Sequence, residues 1–578
     1  MTGLTLPDDL PAKPQRPTLA FKSATFSDGS TLTFNDDDIV VFVGPNNAGK
    51  SATLREMETL VGREQPGLIV SSAELEKIGN AITLQAYLDC NSQKSGIGAN
   101  LHYGGIGFNI AQSSLQYFDQ PVHRHFVASF FAKRLATETR IQDSNAAPGI
   151  ALHHSPPTHP IHLLLMDEML AAGMSVKFRH AFGADLIPFR AGGNSYPLYV
   201  GAKPKLVTGK DELSLEFVDE LQRTSVQLDS QGDGMRSFAA VLLHVLAANN
   251  HSIQFLDEPE AFLHPPQARL LGKYIAEGRR EKSQLFIATH SIDILDGLIE
   301  GGADKVRIVR IRRDGNINHV KELSKKQTRA VARDTLIRFS RVFDGIFFEH
   351  VIVCESDADC MFYQSMLSLP SISGERRPDV LFVHSSGKHR MAKLADTLKA
   401  LDVPVSVIAD IDLLNEENTF KTLVERLGGT WSDIQPHWQA VTQAVLSQRP
   451  ALNATQVKGM IEEQIKEIGG TAEFPQANER AIKNTFKTVS PWNAIKQSGR
   501  SGLPHGEPTT QYDLLDGKCA AIGLWIVSVG EGEGFCQSLG SHGPGFVEMV
   551  LETKDLERDP ELANARQFVK RIWQRAVC

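Results

Sequence analysis

Apolar and polar residues alternate from Thr18 to Phe26, and with Ser30 to Phe34 this period predicts two strands joined through an Asp28-Gly29 turn. The unbroken apolar run Ile39 to Val43 reads as a buried strand, and a helix is expected to begin near Lys50. From Tyr87 to about Val200 the period fades into loops rich in His, Pro and Gly, and only Ile161 to Ala172 stands out as helical. Clear patterning returns with a helical run from Ser237 to Ala248 and apolar strands at Ser252 to Leu256 and Leu285 to Ala288. A hairpin follows, Lys305 to Ile311 and Ile317 to Val320 around Asp314-Gly315, and Lys321 to Phe343 is expected to be a connecting helix.

Beyond it, apolar strands at Val351 to Cys354, Val380 to His384, Val405 to Ala409 and Ala521 to Val527 alternate with helical patterns, as in a doubly wound parallel sheet. Residues 413–508 turn mostly helical and end in the Gly/Ser/Pro stretch Ser498 to Pro508, so they read as an insertion in that sheet. The pattern predicts an α/β chain of two units, residues 1–343 and 344–578. The first is expected to hold an inserted helical arm over about 90–230, the second a helical insertion over about 413–510.

Composition changes this picture little: of 578 residues 42% are apolar, 22% charged and 7% aromatic, which is globular and ample for several cores. With 60 Lys and Arg against 68 Asp and Glu, the formal charge of −8 excludes a protein that coats nucleic acid through overall basicity, though a local basic groove remains compatible. The longest dense apolar run, Phe238 to Ala248, is too short to span a bilayer, and Asp8, Asp9 and prolines stand where a secretory leader would be cationic and apolar. Cysteines 90, 354, 360, 519, 536 and 578 form no CxxC pair or zinc spacing. A cytoplasmic protein with no membrane partner is expected.

The first chemical signal is Gly44-Pro45-Asn46-Asn47-Ala48-Gly49-Lys50-Ser51, which fits GxxxxGK[ST] between a strand and a helix. Asn46, Asn47 and Gly49 would turn backbone N–H groups toward phosphate oxygens, Lys50 would reach the β and γ phosphates of ATP, and Ser51 would ligate Mg²⁺. Further on, Phe255-Leu256-Asp257-Glu258-Pro259 sets two carboxylates at a strand's carboxyl end, where ligands gather in open sheets. Asp257 would hold the Mg²⁺ and Glu258 would polarise the attacking water, while His290 in Ala288-Thr289-His290-Ser291 could report on the γ-phosphate. Taken with Gly232-Asp233-Gly234-Met235-Arg236-Ser237, which departs from LSGGQ, and with His264-Pro265, these motifs resemble an ABC-type ATPase of the SMC and recombination-protein kind. That resemblance implies a nucleotide sandwiched between two subunits, hence a homodimer or higher homo-oligomer.

The second signal opens the second unit. Val351 to Cys354 delivers Glu355, with Asp357 and Asp359 in the next turn, and Val405 to Ala409 delivers Asp410 and Asp412, which share one face of extended chain. Clustered carboxylates with no basic partner in sequence call for a cation, and oxygen-only ligands suit Mg²⁺ or Mn²⁺. The order Glu355, Asp359, then Asp410 and Asp412 resembles a Toprim domain, with Ser356 replacing the usual glycine. Gly530-Glu531-Gly532-Glu533-Gly534 looks like the late glutamate segment of nuclease-type Toprim proteins, with Glu533 favoured over Glu531.

An N-terminal ABC-type P-loop ATPase followed by a C-terminal Toprim domain resembles the OLD (overcoming lysogenisation defect) family of ATP-dependent nucleases. What that resemblance implies is divalent-metal-dependent cleavage or nicking of DNA with two Toprim ions, dimerisation through the ATPase half, and a place in antiphage defence; whether a separately encoded partner, protein or nucleic acid, takes part is left open by the sequence. The family's positioned lysine is matched here to Lys570. Two basic stripes, Lys325, Lys326, Arg329, Arg333, Arg338 and Arg341, and Arg566, Lys570, Arg571 and Arg575, are either solvated helix faces or phosphate contacts. The competing functions are an ATP-driven DNA clamp or sensor whose Toprim unit binds without cutting, and a primase- or topoisomerase-like activity; the last needs a tyrosine nucleophile, and the eight tyrosines, such as Tyr363 and Tyr512, sit in no recognisable helix-turn-helix setting.

Overall fold

The computed structural model describes residues 14–577 apart from residues 152–153, 207, 249–250, 279–281, 324–340, 375–376, 449–453, 467, 469–472 and 541. It forms two compact units, Met1–Arg333 and Asp334–Cys578.

In the first unit the apolar strands assemble a six-stranded sheet in the order Ile317–Leu323, Val306–Asp314, Ile39–Val43, Gln284–Ala288, Ile253–Asp257, Ala132–Leu135. All neighbours run parallel except the Val306–Leu323 hairpin, so the strands ending in Val43, Asp257 and Ala288 present their carboxyl ends at one edge. Strands Ile39–Val43, Ile253–Asp257 and Gln284–Ala288 are buried throughout, which is why they read as continuous apolar runs. The Thr18–Phe26 strand pairs with Thr31–Thr33 and with Val70–Ile78 in an antiparallel sheet of three. Phe21 meets Phe286 edge-on with ring centroids 5.4 Å apart, and buried Gln284 bridges the sheets, accepting from Phe21 N at 2.7 Å and donating to Phe21 O at 2.7 Å.

Several expectations need correction. Residues 90–230 are mixed rather than a helical arm: helices Pro160–Met166, Glu168–Phe182 and Leu215–Thr224 accompany a three-stranded sheet of Asp185–Pro188, Leu198–Gly201 and Ser225–Gln227. The short Ala132–Leu135 strand even belongs to the main sheet, its Lys133 and Arg134 having hidden it from a hydrophobic reading. The helix expected over Ile161 to Ala172 is two, because Asp167 breaks it and caps the second through Oδ1, which accepts from Leu170 N at 3.0 Å. The run Ser237 to Ala248 is helical but starts at Asp233, and it passes into a π-helical turn over Leu243–Ala248. Lys321–Leu323 prolong the hairpin strand and Val342–Phe347 forms a 3₁₀ turn, so the connecting helix does not extend from Lys321 to Phe343. Lys325, Lys326, Arg329, Arg333 and Arg338 lie outside the described residues.

The second unit holds a parallel sheet ordered Val380–His384, His350–Cys354, Val405–Ala409, Leu524–Ile526. Between its last two strands run the helices Glu417–Arg426, Trp431–Leu446, Ala454–Lys466, Gln476–Val489, Pro491–Ser498 and Glu507–Ile522. The final strand is shorter than the expected Ala521 to Val527, because Gly523 at φ 89° closes the preceding helix and leaves Ala521 and Ile522 inside it. No helix among the described residues is long and apolar enough to cross a membrane.

Candidate functional site

The first site is a turn built at the end of the Ile39–Val43 strand. Gly44 sits at φ 145°, and a Cβ there would lie 2.1 Å from the carbonyl oxygen of Ile311 in the neighbouring strand, so only glycine lets the chain leave the sheet at that point. Asn47 at φ 62° and Gly49 at φ 100° complete a left-handed turn, and the helix Lys50–Gly62 starts immediately after. Asn46 and Asn47 are exposed, Ser51 is half-buried at the helix N-terminus, and the Lys50 ammonium lies 2.9 Å from the carbonyl oxygens of both Gly44 and Pro45. The cradle is thus folded with its cation drawn over the loop. Gly44→Ala is expected to abolish nucleotide binding and to lower the melting temperature, since a methyl group cannot share that space with a backbone oxygen; fluorescent-nucleotide titration and thermal melting check both.

Asp257 ends its strand with Oδ1 buried and without a hydrogen-bond partner, an orphaned oxygen of the kind a Mg²⁺ or its water satisfies. The donor set Ser51 and Asp257 therefore fits the ion the motifs imply. Glu258 stands at φ 46°, its N–H donating to Ala288 O at 2.8 Å, and its carboxylate Oε1 lies 3.4 Å from His290 Nδ1. The structure thus brings Glu258 and His290 together. The motif reading passed over Glu260, whose buried carboxyl accepts from Thr289 Oγ1 at 2.7 Å and His290 N at 3.1 Å and so fixes the His290 turn. Burial pushes the Glu260 carboxyl up, against its hydrogen bond from Thr289.

The second site lies at the carboxyl edge of the four-stranded sheet. Glu355, Asp410 and Asp412 each bring a carboxylate oxygen within 4.8 Å of the others. Burial, then Asp412, pushes Glu355 up; burial pushes Asp410 well up against the pull of Lys496, with Asp359, Glu355 and Asp412 adding to the rise. Asp412 Oδ1 is buried and unpartnered, and the all-oxygen donor set fits a hard divalent ion. A second group, Glu531, Glu533 and His542, also gathers within 4.8 Å, with Glu533 Oε1 accepting from Gly543 N at 2.8 Å. Both late glutamates therefore contribute a ligand atom to this second group.

Asp359 is not drawn into the triplet. Its Oδ2 accepts from Ser356 N at 2.9 Å and Ser356 Oγ at 2.8 Å, a capping box that starts the helix Asp357–Leu367, so Ser356 in the glycine position gains a helix cap. Lys570 is exposed on the helix Ala563–Val577, and the cations that do reach the cluster are others. Lys496 Nζ lies 3.3 Å from Asp410, 3.6 Å from Asp412 and 3.6 Å from Glu531, while Lys388 Nζ is 2.9 Å from Glu416 and 3.5 Å from Asp412. Lys496 belongs to the insertion helix Pro491–Ser498, which Gly499 and Gly530 seat against the late glutamate loop. A Cβ on Gly530 would lie 2.0 Å from Lys496 O, and one on Gly499 would lie 2.2 Å from Ser528 O. In the metal-free chain Lys496→Ala leaves the acids with less compensation, a loss on the order of 1 kcal/mol for so partly exposed a pair. Melting should show a fall in EDTA that Mg²⁺ or Mn²⁺ restores.

Of the C-terminal stripe, Arg566 donates to Leu556 O at 2.8 Å, Arg571 pairs with Asp516 at 3.0 Å, and Arg575 donates to Ala521 O at 2.8 Å. These arginines are engaged within the unit.

Residues 106–296 match the family model described as "AAA domain, putative AbiEii toxin, Type IV TA system". That span includes Asp257, Glu258 and His290 and begins after the Gly44–Ser51 loop. No curated protein matches the chain. Solved structures similar to it include an Smc head bound to the C-terminal winged-helix domain of ScpA, at 10% identity over 54% of this chain and 99% of that one, with a TM-score of 0.32. A second is an Smc head with an extended coiled coil bound to the C-terminal domain of ScpA, from Pyrococcus furiosus, at 11% identity, 55% and 98% coverage and a TM-score of 0.29. A third is the SMC head of Thermotoga maritima, at 12% identity, 54% and 100% coverage and a TM-score of 0.27. The family match lies within the N-terminal unit, over the strand ends that carry Asp257 and Glu258, and makes that stretch similar to an AAA-type ATPase domain.

Proposed function

We propose that the chain is an ATP-regulated, divalent-metal-dependent DNA endonuclease or nickase of the OLD type, acting in antiphage defence as a homodimer or higher homo-oligomer joined through its ATPase unit. The observation that carries the nuclease part is the convergence of Glu355, Asp410 and Asp412 from two adjacent parallel strands, with a buried, unpartnered oxygen on Asp412. In this reading Glu355, Asp410 and Asp412 hold Mg²⁺ or Mn²⁺, Glu531 and Glu533 complete the acidic wall, and Lys496 balances charge on its open side. The metal supplies Lewis-acid stabilisation of the phosphodiester. Asp359 holds the turn after Glu355 through its cap.

At the ATP site Lys50 and the loop amides hold the β and γ phosphates, Ser51 and Asp257 take the Mg²⁺, and Glu258, beside His290, accepts a proton from the attacking water. Tyr363 and Tyr512 do not serve as strand-passage nucleophiles, because each is 1% exposed with its hydroxyl buried, out of reach of a DNA phosphate. Incubating the purified chain with supercoiled plasmid in EDTA, Mg²⁺ or Mn²⁺, each with and without ATP, tests the proposal. Nicked or linear product is expected with metal only; no product under any metal and nucleotide condition favours the clamp or sensor.

A further inference from the structure

Arg140 follows the Ala132–Leu135 strand, the parallel neighbour of Ile253–Asp257, and is 1% exposed. Its guanidinium spends its donors on neutral groups. Nε donates to Ser237 Oγ at 2.8 Å, Nη1 to the Asp257 carbonyl at 2.6 Å, and Nη2 to the Glu258 carbonyl at 2.8 Å. Thr137 Oγ1 donates to the same Asp257 carbonyl at 2.9 Å. Burial pulls the Arg140 pKa down while the charges of Glu260, Asp257 and Glu258 oppose the pull, so this cation is costly to place and is held by what it binds.

In extended chain successive carbonyls point to opposite sides. Here both turn toward one guanidinium, which requires the backbone to bend after Asp257. Glu258 makes that bend at φ 46°, a strained conformation for a side-chain-bearing residue that persists only where its surroundings enforce it. The planar fork of arginine matches two adjacent carbonyls as no other side chain does. Ser237, the third partner, lies on the helix Asp233–Leu242, so the same guanidinium ties that helix to the turn carrying Glu258.

We propose that Arg140 is a positioning residue for the ATPase reaction: it holds the Asp257–Glu258 turn so that the Glu258 carboxylate stands over the cradle, and it makes that placement depend on the Asp233–Leu242 helix. The proposal rests on the ATPase reading of Glu258. The test compares full-length wild type with Arg140→Met, Arg140→Lys, Ser237→Ala and Glu258→Gln, measuring kcat for ATP hydrolysis, affinity for a fluorescent ATP analogue, and melting temperature.

Arg140→Met should lower kcat about 10- to 100-fold, the scale of a misplaced catalytic group, with nucleotide affinity within about twofold of wild type. Arg140→Lys should recover part of kcat, because an ammonium reaches one or two of the three acceptors. Ser237→Ala should give a smaller loss of kcat, again with affinity kept. A residue that only supports folding would lower melting temperature and affinity together and would not be rescued by lysine. If Arg140→Met fails to fold, Arg140→Lys and Ser237→Ala decide. Wild-type kcat in both, while Glu258→Gln is slow, overturns the role of Arg140 alone. Wild-type kcat in Glu258→Gln overturns the assignment of Glu258 itself.

Discussion

Glu258→Gln is expected to bind ATP as tightly as the wild type and to hydrolyse it at least about 10²-fold more slowly, the usual contribution of a general base. The amide keeps the size and hydrogen-bonding reach of the side chain but cannot accept the proton of the attacking water. Binding survives because the phosphates are held elsewhere, by Lys50 and the loop that Gly44 and Gly49 permit. With turnover stalled, the ATP-bound protein should accumulate as a dimer or larger assembly in light scattering. A variant that hydrolyses at the wild-type rate contradicts the role given to Glu258, and one that stays monomeric with ATP contradicts the sandwich.

Asp410→Ala is expected to lower metal-dependent nicking by about 10²- to 10³-fold while leaving ATP turnover intact. A divalent ion held by three carboxylates loses both affinity and geometry when the middle one goes, and in-line attack depends on that geometry. The same substitution has an opposite effect on stability. The Asp410 carboxyl is held well above its usual range by burial and by three neighbouring acids, so its ionised form weighs against folding at neutral pH. A group whose folded pKa is raised loses that penalty as pH falls through the folded value. Metal-free wild type should therefore gain melting temperature as the pH is lowered from above neutrality toward the ordinary carboxylate range, and Mg²⁺ should flatten the gain. Asp410→Ala should melt higher than wild type in EDTA and show a shallower pH dependence. Equal slopes for the two proteins, measured by thermal melting across that range, contradict the electrostatic account of this site.

Both sites were legible where the chemistry is local in sequence. The phosphate loop is one run from strand to helix, and the paired acids at Asp257-Glu258 and at Asp410 and Asp412 each follow a buried apolar strand, so period and motif agree. Groups that act from a distance left no such mark. Arg140 follows a strand whose Lys133 and Arg134 mask it, and its partners lie at Ser237 and Asp257. Lys496 sits on an insertion helix that reads as ordinary amphipathic sequence, and only packing through Gly499 and Gly530 seats it beside the acids. Lys570 is matched to a lysine of the resembling family within a basic run, yet a run of cations along a helix describes a face, and here Arg566, Arg571 and Arg575 serve their own unit. The strand Val70–Ile78 escaped notice because most of it is exposed, which leaves too few apolar positions to set a period.

In the proposed function one chain carries two separable chemistries, ATP hydrolysis at Lys50 and Glu258 and phosphodiester cleavage at Glu355, Asp410 and Asp412. The most direct test measures plasmid nicking and ATP hydrolysis side by side in Mg²⁺ or Mn²⁺, on wild type and on the Asp410→Ala, Asp412→Ala double variant prepared in parallel. Nicking by the wild type, nicking at background in the double variant, and equal ATP turnover in the two are expected. Undiminished nicking by the double variant contradicts the proposed function.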